Sequence, residues 1–600
     1  MCGIAGILQF RPDAGPADAR AAVARMNDSL RHRGPDADGL WSSTSGLCHL
    51  GHRRLSVIDL STAANQPMHD GTARYTLVFN GEVYNFKDLR TRLESRGVRF
   101  QTHSDTEVLL EGFIAEGPAI FKSIDGMFAV AIYDSQSGTL TLARDGAGEK
   151  PLYYYRGDGF FAFASELRTL LTIPGQNFRL SESGLALYMA LRYVPPPHSI
   201  VKNVHKLAPG MVMQIARDGT VTETRFFSFS AGTFTPDPGL SPETYAQAVE
   251  DALAASLEAR LSSDVPLGAF LSAGVDSALA CAVLTKRLKQ PLKTFTVGFE
   301  GDPGSEHVAA ADIARTLGTE HREFIFGPAA FEQICGSIGT LLDEPNGDRS
   351  CVPTYLLAQF ARQHVTVAIS GDGGDELFAG YSRYLGFANL AGKQTWPNAE
   401  AVVRAYFQNA LGVFPWQAIP EVARHEAGAV LTFIDSFAPI FSAPGRSVLD
   451  AQRILDFESY MPGAVLAKVD RMSMRHALEV RTPYLTASLY DLSQKASLPM
   501  LLGPEGQKAT LRRLLAKHLP MNHVTAPKKG FGMPPSVFLN NKERVIAELG
   551  KAHGILSQTA FFKERPGTAE ALAKWAPHNT NSIWATIALA KWVESVGAWL

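Results

Sequence analysis

Cysteine is scarce in this chain: Cys2, Cys48, Cys281, Cys335 and Cys351 are the five in 600 residues, and no two form a C-x-x-C pair. Odd in number and widely spaced, they argue against a disulfide scaffold or a zinc site and fit a reducing, cytoplasmic setting. An excess of one charge is lacking too, since 57 basic residues face 59 acidic ones for a formal charge of -2. No global field draws in nucleic acid or an anionic membrane, so any phosphate site has to be local. No apolar stretch reaches transmembrane length without charges; the closing SIWATIALAKWVESVGAWL is broken by Lys591 and Glu594 and reads as a packed helix. MCGIAGILQFRP has no basic segment ahead of its short apolar run, so no signal peptide is expected. The lysine of a Walker loop and the spacing G-x-G-x-x-G are both missing, which disfavours a P-loop kinase and a Rossmann dehydrogenase. Internal repeats and low-complexity tracts are absent as well.

What is present is an ordinary globular composition, 46% hydrophobic and 19% charged, in a chain too long for one hydrophobic core. Two domains or more are expected. Up to about residue 225, short apolar runs such as YTLVFNGEVYN and GMFAVAIYDSQSGTLTLARD alternate with Gly, Asn and Asp, the pattern of a β-rich α+β half. DSQSG predicts a hairpin turn, and SDTEVLLEGFIAEG an N-capped helix. Residues 226–245, rich in Pro, Gly, Ser and Thr, read as a linker between a domain at 2–225 and one at 246–600. In the latter, helical periodicity alternates with the strands VPLGAFLS, LKTFTVGF and HVTVAISG, which implies an α/β fold with a parallel sheet. Its ligands are expected at the carboxyl ends of the strands.

Cys2 follows the initiator Met, whose removal would expose an α-amino group beside the thiol as its own general base. A lone cysteine is more often a small buried hydrophobe. Position two argues otherwise, and so do its surroundings. MCGIAGI, RHRGPDADG, GHRRLSVID, NQPM, FNGEVYNF, HSDTEVLL and DGMFAVAIYD occur in the order found in class II glutamine amidotransferases, and the first half resembles that family nearly throughout. The resemblance implies an Ntn-type αββα domain in which Cys2 attacks the amide carbon of glutamine while Asn80 and the Gly81 backbone N–H hold the oxyanion. It also implies a glutamine site made of Arg54, Leu55, Ser56, Val57, Ile58, Asn80, Gly81, Glu82 and Asp105. A zwitterionic substrate needs such a mixture of fixed charges. RDGAGEKPLYYY departs from the family at Gly146, usually basic, and at Glu149, usually apolar.

LSAGVDSALACAVL follows a strand and opens a helix, an arrangement that aims backbone N–H groups at an anion. It resembles the SGGxDS pyrophosphate loop of ATP pyrophosphatases, with Ala273 in place of the second Gly. LDEPNGDRSCVPTY, ISGDGGDELFAGY, LAKVDRMSMRHALEVRTPYL and PKKGFGMP follow, and in that order resemble the asparagine synthetase domain across 246–600. The resemblance implies an adenine nucleotide α-hydrolase-like sheet with added helices. ATP would be bound by Leu271, Ser272, Gly274, Asp276, Ser277, Val297, Ser370 and Gly371. Mg²⁺ would be bound by Asp276, Asp375 and Glu376, the carboxylates a hard cation prefers. Lys528 would meet the reacting carboxylate and phosphate, and Asp372 stands where the acyl-adenylate forms.

The two resemblances together imply glutamine hydrolysis in the first half and adenylation of a carboxylate by Mg-ATP in the second, ammonia then displacing AMP. The expected ligands are small molecules: glutamine, ATP, and aspartate or another carboxylate. No permanently bound organic cofactor, nucleic acid or membrane is expected, and a homodimer is left open. The first rival is an amidotransferase acting on a sugar uronate, kept open by Ala273 and Thr486, which replace common family residues. A degenerate regulatory subunit and a β-lactam synthetase relative are both opposed by the intact Cys2.

Overall fold

The computed structural model describes residues 1–301, 305–412, 427–526, 532, 542–559 and 580–597. Strand β1 (Gly3–Gln9) starts directly after Cys2, and its alternation sets the layers of the first half. Ile4 and Leu8 enter a core shared between two sheets, whereas Ala5 and Ile7 face Ala22, Val23 and Met26 of helix α1 (Ala19–Ser29). β1 pairs with β2 (Cys48–Arg54) and with Phe160–Ala164 inside a six-stranded antiparallel sheet. Opposite lies a second six-stranded sheet containing β3 (Tyr75–Val83) and β4 (Gly126–Asp134). Helices α2 (Phe86–Glu94) and α3 (Asp105–Glu116) cover its outer side through Leu89, Leu93, Val108 and Leu109. The order helix, sheet, sheet, helix is the αββα sandwich. The DSQSG hairpin joins β4 to Thr139–Arg144, with Gly138 at φ +72°.

In the second half α4 (Pro242–Arg260) leads to β5 (Leu267–Phe270), which turns into α5 (Val275–Ala282). With β6 (Lys293–Phe299), β7 (Glu320–Phe326), β8 (Val367–Ile369) and β9 (Glu479–Arg481) it forms a fully parallel sheet in the order β7-β6-β5-β8-β9. The chain runs outward from β5 to one edge, then resumes on the other side with β8. That reversal opens a crevice beyond the carboxyl ends of β5 and β8. The loops 271–276 and 370–375, which the sequence marks as candidates for phosphate, leave these two strands.

The halves are tied by burial at both of their other connections. Within 226–245, Phe229 stacks on Phe457 with ring centroids 4.2 Å apart, and Phe234 is buried beside it. At the far end α6 (Ala509–Leu515) packs on α5, and α7 (Thr580–Val596) buries Trp584 and Trp592. Trp592 Nε1 donates to Asp343 O at 2.9 Å, and Ala585 O accepts from Tyr188 of the first half at 2.8 Å. Among the described residues no helix is long and apolar enough to cross a membrane.

Candidate active sites

Cys2 is buried where β1 begins, and its backbone N–H donates to Asn80 Oδ1 at 2.9 Å. Asn80 has no exposed surface on β3; its Nδ2, assigned as the nitrogen by that bond, meets no acceptor among the described residues. At Gly81 a Cβ would run into the Met127 carbonyl of β4, so only glycine lets the strands close beside Asn80. Burial raises the Cys2 thiol pKa against the opposing pull of the α-ammonium, a hydrogen bond from the Leu55 backbone, and Arg54.

Arg54, the last residue of β2, gathers the following loop by donating to Ser61 O (2.8 Å), Asn65 Oδ1 (2.7 Å), Ile58 O (3.4 Å) and Asp59 O. Leu55 and Val57 are buried, Ile58 is half-buried, and the Ser56 N–H donates to Asp36 Oδ2 at 2.8 Å. Across from them stand two carboxylates. Burial, then Glu479 and Asp105, push Glu82 well above the carboxylate range despite Arg481 at 3.6 Å. Asp105 opens α3, accepts the Val83 N–H at 2.9 Å and is raised by burial to about 6.

Buried charged groups that seat Cys2 have no individual signal in the sequence. Arg33, without exposed surface, donates to Cys2 O at 3.0 Å, to both Asp470 oxygens at 2.9 and 3.1 Å, and to Glu166 at 3.1 Å. Asp470 belongs to the second half, so one guanidinium holds the Cys2 carbonyl and the contact between halves. The Met1 α-ammonium meets Glu479 Oε2 at 2.6 Å. Burial would raise Glu479, but Met1 and Arg481 outweigh it and hold the carboxyl at about 2. Arg33 and Glu479 lie inside motifs already quoted, RHRGPDADG and LEVRTPYL, yet their partners are remote in sequence. Arg33→Met is expected to lower stability by about 3 kcal/mol, because buried Asp470 and Glu166 lose the guanidinium they share and keep the more distant Lys150 (3.8 Å) and the half-buried His32 (2.9 Å). An unchanged denaturant midpoint in urea titration would count against this.

The departure at Glu149 has a local counterpart: Thr482 of the second half donates its hydroxyl to Glu149 Oε2. Burial, then Asp145, push this carboxyl up to about 8. A small cavity beside the pair is lined by Met1, Lys150, Leu466 and Val480.

In the crevice beyond β5 and β8 the loop before α5 is locked by its own serines. Ser272 N–H donates to Ser277 Oγ at 3.1 Å, the two hydroxyls are 3.0 Å apart, and Gly274 N–H donates to Ser272 Oγ at 3.1 Å. Ala273 is not among the residues with left-handed backbone, so its Cβ carries no conformational cost. Leu271 is buried just past the end of β5, and Val297 is buried within β6. The loop after β8 presses close: a Cβ at Gly371 would lie 2.8 Å from Ser277 N, and one at Gly374 would lie 2.5 Å from Asp276 Oδ1. Ser370 donates its N–H to Arg481 O at 2.9 Å and its hydroxyl to Asp372 Oδ2 at 2.7 Å.

Asp276 and Asp375 share the ammonium of Lys508, which is 2.6 Å from Asp375. Glu376 instead accepts from Tyr381 Oη at 2.7 Å, and burial, then Asp375, raise it to about 7. Among the described residues no third acid joins the pair into a metal-binding cluster. Lys468, also unmarked by the sequence, is buried facing Asp348 and Asp372; burial lowers its pKa, but these two acids raise it further. Lys528 and most of PKKGFGMP lie outside the described residues.

Residues 1–227 match the glutamine amidotransferase domain family, and residues 248–594 match the asparagine synthase family. The chain is 31% identical to asparagine synthetase [glutamine-hydrolyzing] 1 of Bacillus subtilis, over 90% of this chain and 88% of that one. It is 30% identical to asparagine synthetase B [glutamine-hydrolyzing] of Escherichia coli, over 64% of this chain and 65% of the other. Among solved structures, the glutamine phosphoribosylpyrophosphate amidotransferase of B. subtilis overlaps 54% of this chain and 65% of its own, with a TM-score of 0.28 and 17% identity.

Proposed function

The chain belongs to the asparagine synthetase family, carrying a glutamine amidotransferase domain ahead of the synthase domain, and from that premise we propose that it converts aspartate, glutamine, ATP and water to asparagine, glutamate, AMP and diphosphate. The observation that carries this reading is the seat of the amino terminus. Met1 and Cys2 are held by Glu479 and, through Arg33, by Asp470, while Ser370 of the nucleotide loop bonds the same β9 strand that bears Glu479. Two catalytic sites built against one sheet suit a reaction in which the ammonia made at one is consumed at the other.

In the first site Cys2 attacks the amide carbon, with its own α-amine as base once Met1 is removed. Asn80 Oδ1 already lies 2.9 Å from that nitrogen and would orient it. The uncommitted Nδ2 of the same side chain, with the Gly81 N–H, would hold the oxyanion. Asn80→Ala is therefore expected to cut glutamine hydrolysis by about 10²–10³. A loss below tenfold in a glutaminase assay would take the oxyanion role from Asn80. Arg54, with Glu82 and Asp105, would recognise the charged end of glutamine, Arg54 partly by shaping the loop it gathers.

In the second site the 272–277 loop would receive the phosphates of ATP. Asp276 and Asp375, two carboxylates around one buried cation, are a donor set that fits Mg²⁺. The ion would neutralise charge on the departing diphosphate. Lys468 beside Asp372, with Arg349 half-buried in the preceding loop, would face the acceptor carboxylates. Adenylation of the side-chain carboxylate of aspartate releases diphosphate; ammonia then attacks the acyl carbon and AMP leaves. The acceptor is tested by supplying purified protein with glutamine, Mg-ATP and aspartate. Asparagine formed one-for-one with AMP is expected, and glutamine hydrolysis without asparagine, while a sugar uronate elicits AMP, would move the reading to the rival acceptor.

A further inference from the structure

Lys508 sits in GQKATLRRLL, far from the stretches that mark either site, yet its ammonium bridges the ends of both phosphate-directed loops, Asp276 after β5 and Asp375 after β8. Three features show that the fold is shaped around it. Lys508 is buried, with 4% of its surface exposed. Its backbone is left-handed at φ +58° and ψ 39°, a conformation that disfavours residues with a Cβ and that clusters where position matters more than local energy. The bend points its side chain into the crevice while α6, which it precedes, packs on α5. Gly380 makes the room: a Cβ there would collide with both Lys508 Cε and Asp375 Oδ1.

We propose that Lys508 is a positioning residue of the adenylation site, its ammonium holding Asp276 and Asp375 together across the crevice and passing to the diphosphate portion of Mg-ATP when those carboxylates take the metal. The proposal rests on the reading of this pair as the Mg²⁺ donors. One ammonium and one divalent cation cannot both lie between the same two oxygens, so metal entry sets free a buried group with three N–H donors. The anion closest to hand is the one the 272–277 loop receives. Lys508 thereby spares the crevice an uncompensated pair of carboxylates and supplies a cation where negative charge leaves.

Two full-length variants test this, Lys508→Met and Lys508→Gln, the second of which keeps N–H donors for the two carboxylates while removing the charge. Mn²⁺ alone, without nucleotide, is titrated by the electron paramagnetic resonance signal of the free ion. Both variants are expected to bind Mn²⁺ on the order of tenfold more tightly than the unaltered chain, since a competing charge a few ångströms away is gone. Diphosphate release from Mg-ATP and aspartate is expected to fall by about a hundredfold. A group needed only for folding would weaken metal binding or leave it unchanged. Lys508→Met with unaltered Mn²⁺ affinity, or with undiminished diphosphate release, overturns the proposal; if that variant also loses glutamine hydrolysis, as a misfolded chain would, Lys508→Gln decides on the same two readouts. Formation of ADP in place of AMP by the unaltered chain would overturn the reading of the reaction, whereas the Mn²⁺ titration would still decide the place of Lys508.

Discussion

Cys2→Ala is expected to reduce glutamine-dependent asparagine formation by roughly 10⁴-fold or more, the scale on which loss of a covalent nucleophile is felt, while synthesis from added ammonium persists. The separation follows from the geometry. Alanine at position two keeps the backbone N–H that meets Asn80 and the carbonyl that meets Arg33, so the contact between halves survives with only the sulfur removed. A chain that keeps Met1 should behave alike, because its Cys2 nitrogen is an amide without basicity and its ammonium is engaged by Glu479. The two activities are read by asparagine production with glutamine and with ammonium chloride. Parallel loss of both would mean that Cys2 serves the structure of the second site and not the release of ammonia.

Asp276→Asn should have the opposite signature: AMP and diphosphate formation down by a hundredfold or more, with glutamine hydrolysis retained. Asp276 is fixed on three sides. Its backbone carbonyl accepts from Tyr484 Oη at 2.9 Å, its carboxylate takes the Lys508 ammonium, and Gly374 approaches closely enough to forbid a side chain. An asparagine keeps the shape and loses the charge, so the change reports on electrostatics and leaves packing alone. AMP production within tenfold of the unaltered chain would remove Asp276 from the metal and phosphate machinery.

Much of the fold could be read from patterning, and the exceptions have definite causes. VPLGAFLS, LKTFTVGF and HVTVAISG announce themselves because strands covered on both faces are nearly continuous apolar runs. β7 does not, since EHREFIF lies at an edge and turns charged side chains to solvent. β9 has three residues, Glu479, Val480 and Arg481, too few for any periodicity, and it exists because β8 offers it a partner. In the linker, Pro and Gly announce a connection, but Phe229 and Phe234 bury themselves against elements the composition of that stretch does not reveal. Cys2, Asn80 and Asp276 were legible through their motifs. Arg33 and Lys508 were not distinguished, because what matters about them is a partner 437 residues away for the one and 232 for the other.

The closing helix imposes an order on biosynthesis. Tyr188 and Arg168 are made early, yet their partners Ala585 and Ser595 follow 397 and 427 residues later. At roughly 5–20 residues per second, a ribosome leaves that surface uncovered for about 20–80 s. During that interval the Tyr188 hydroxyl is without the Ala585 carbonyl, so the fastening of the halves that runs through α7 is completed late in synthesis.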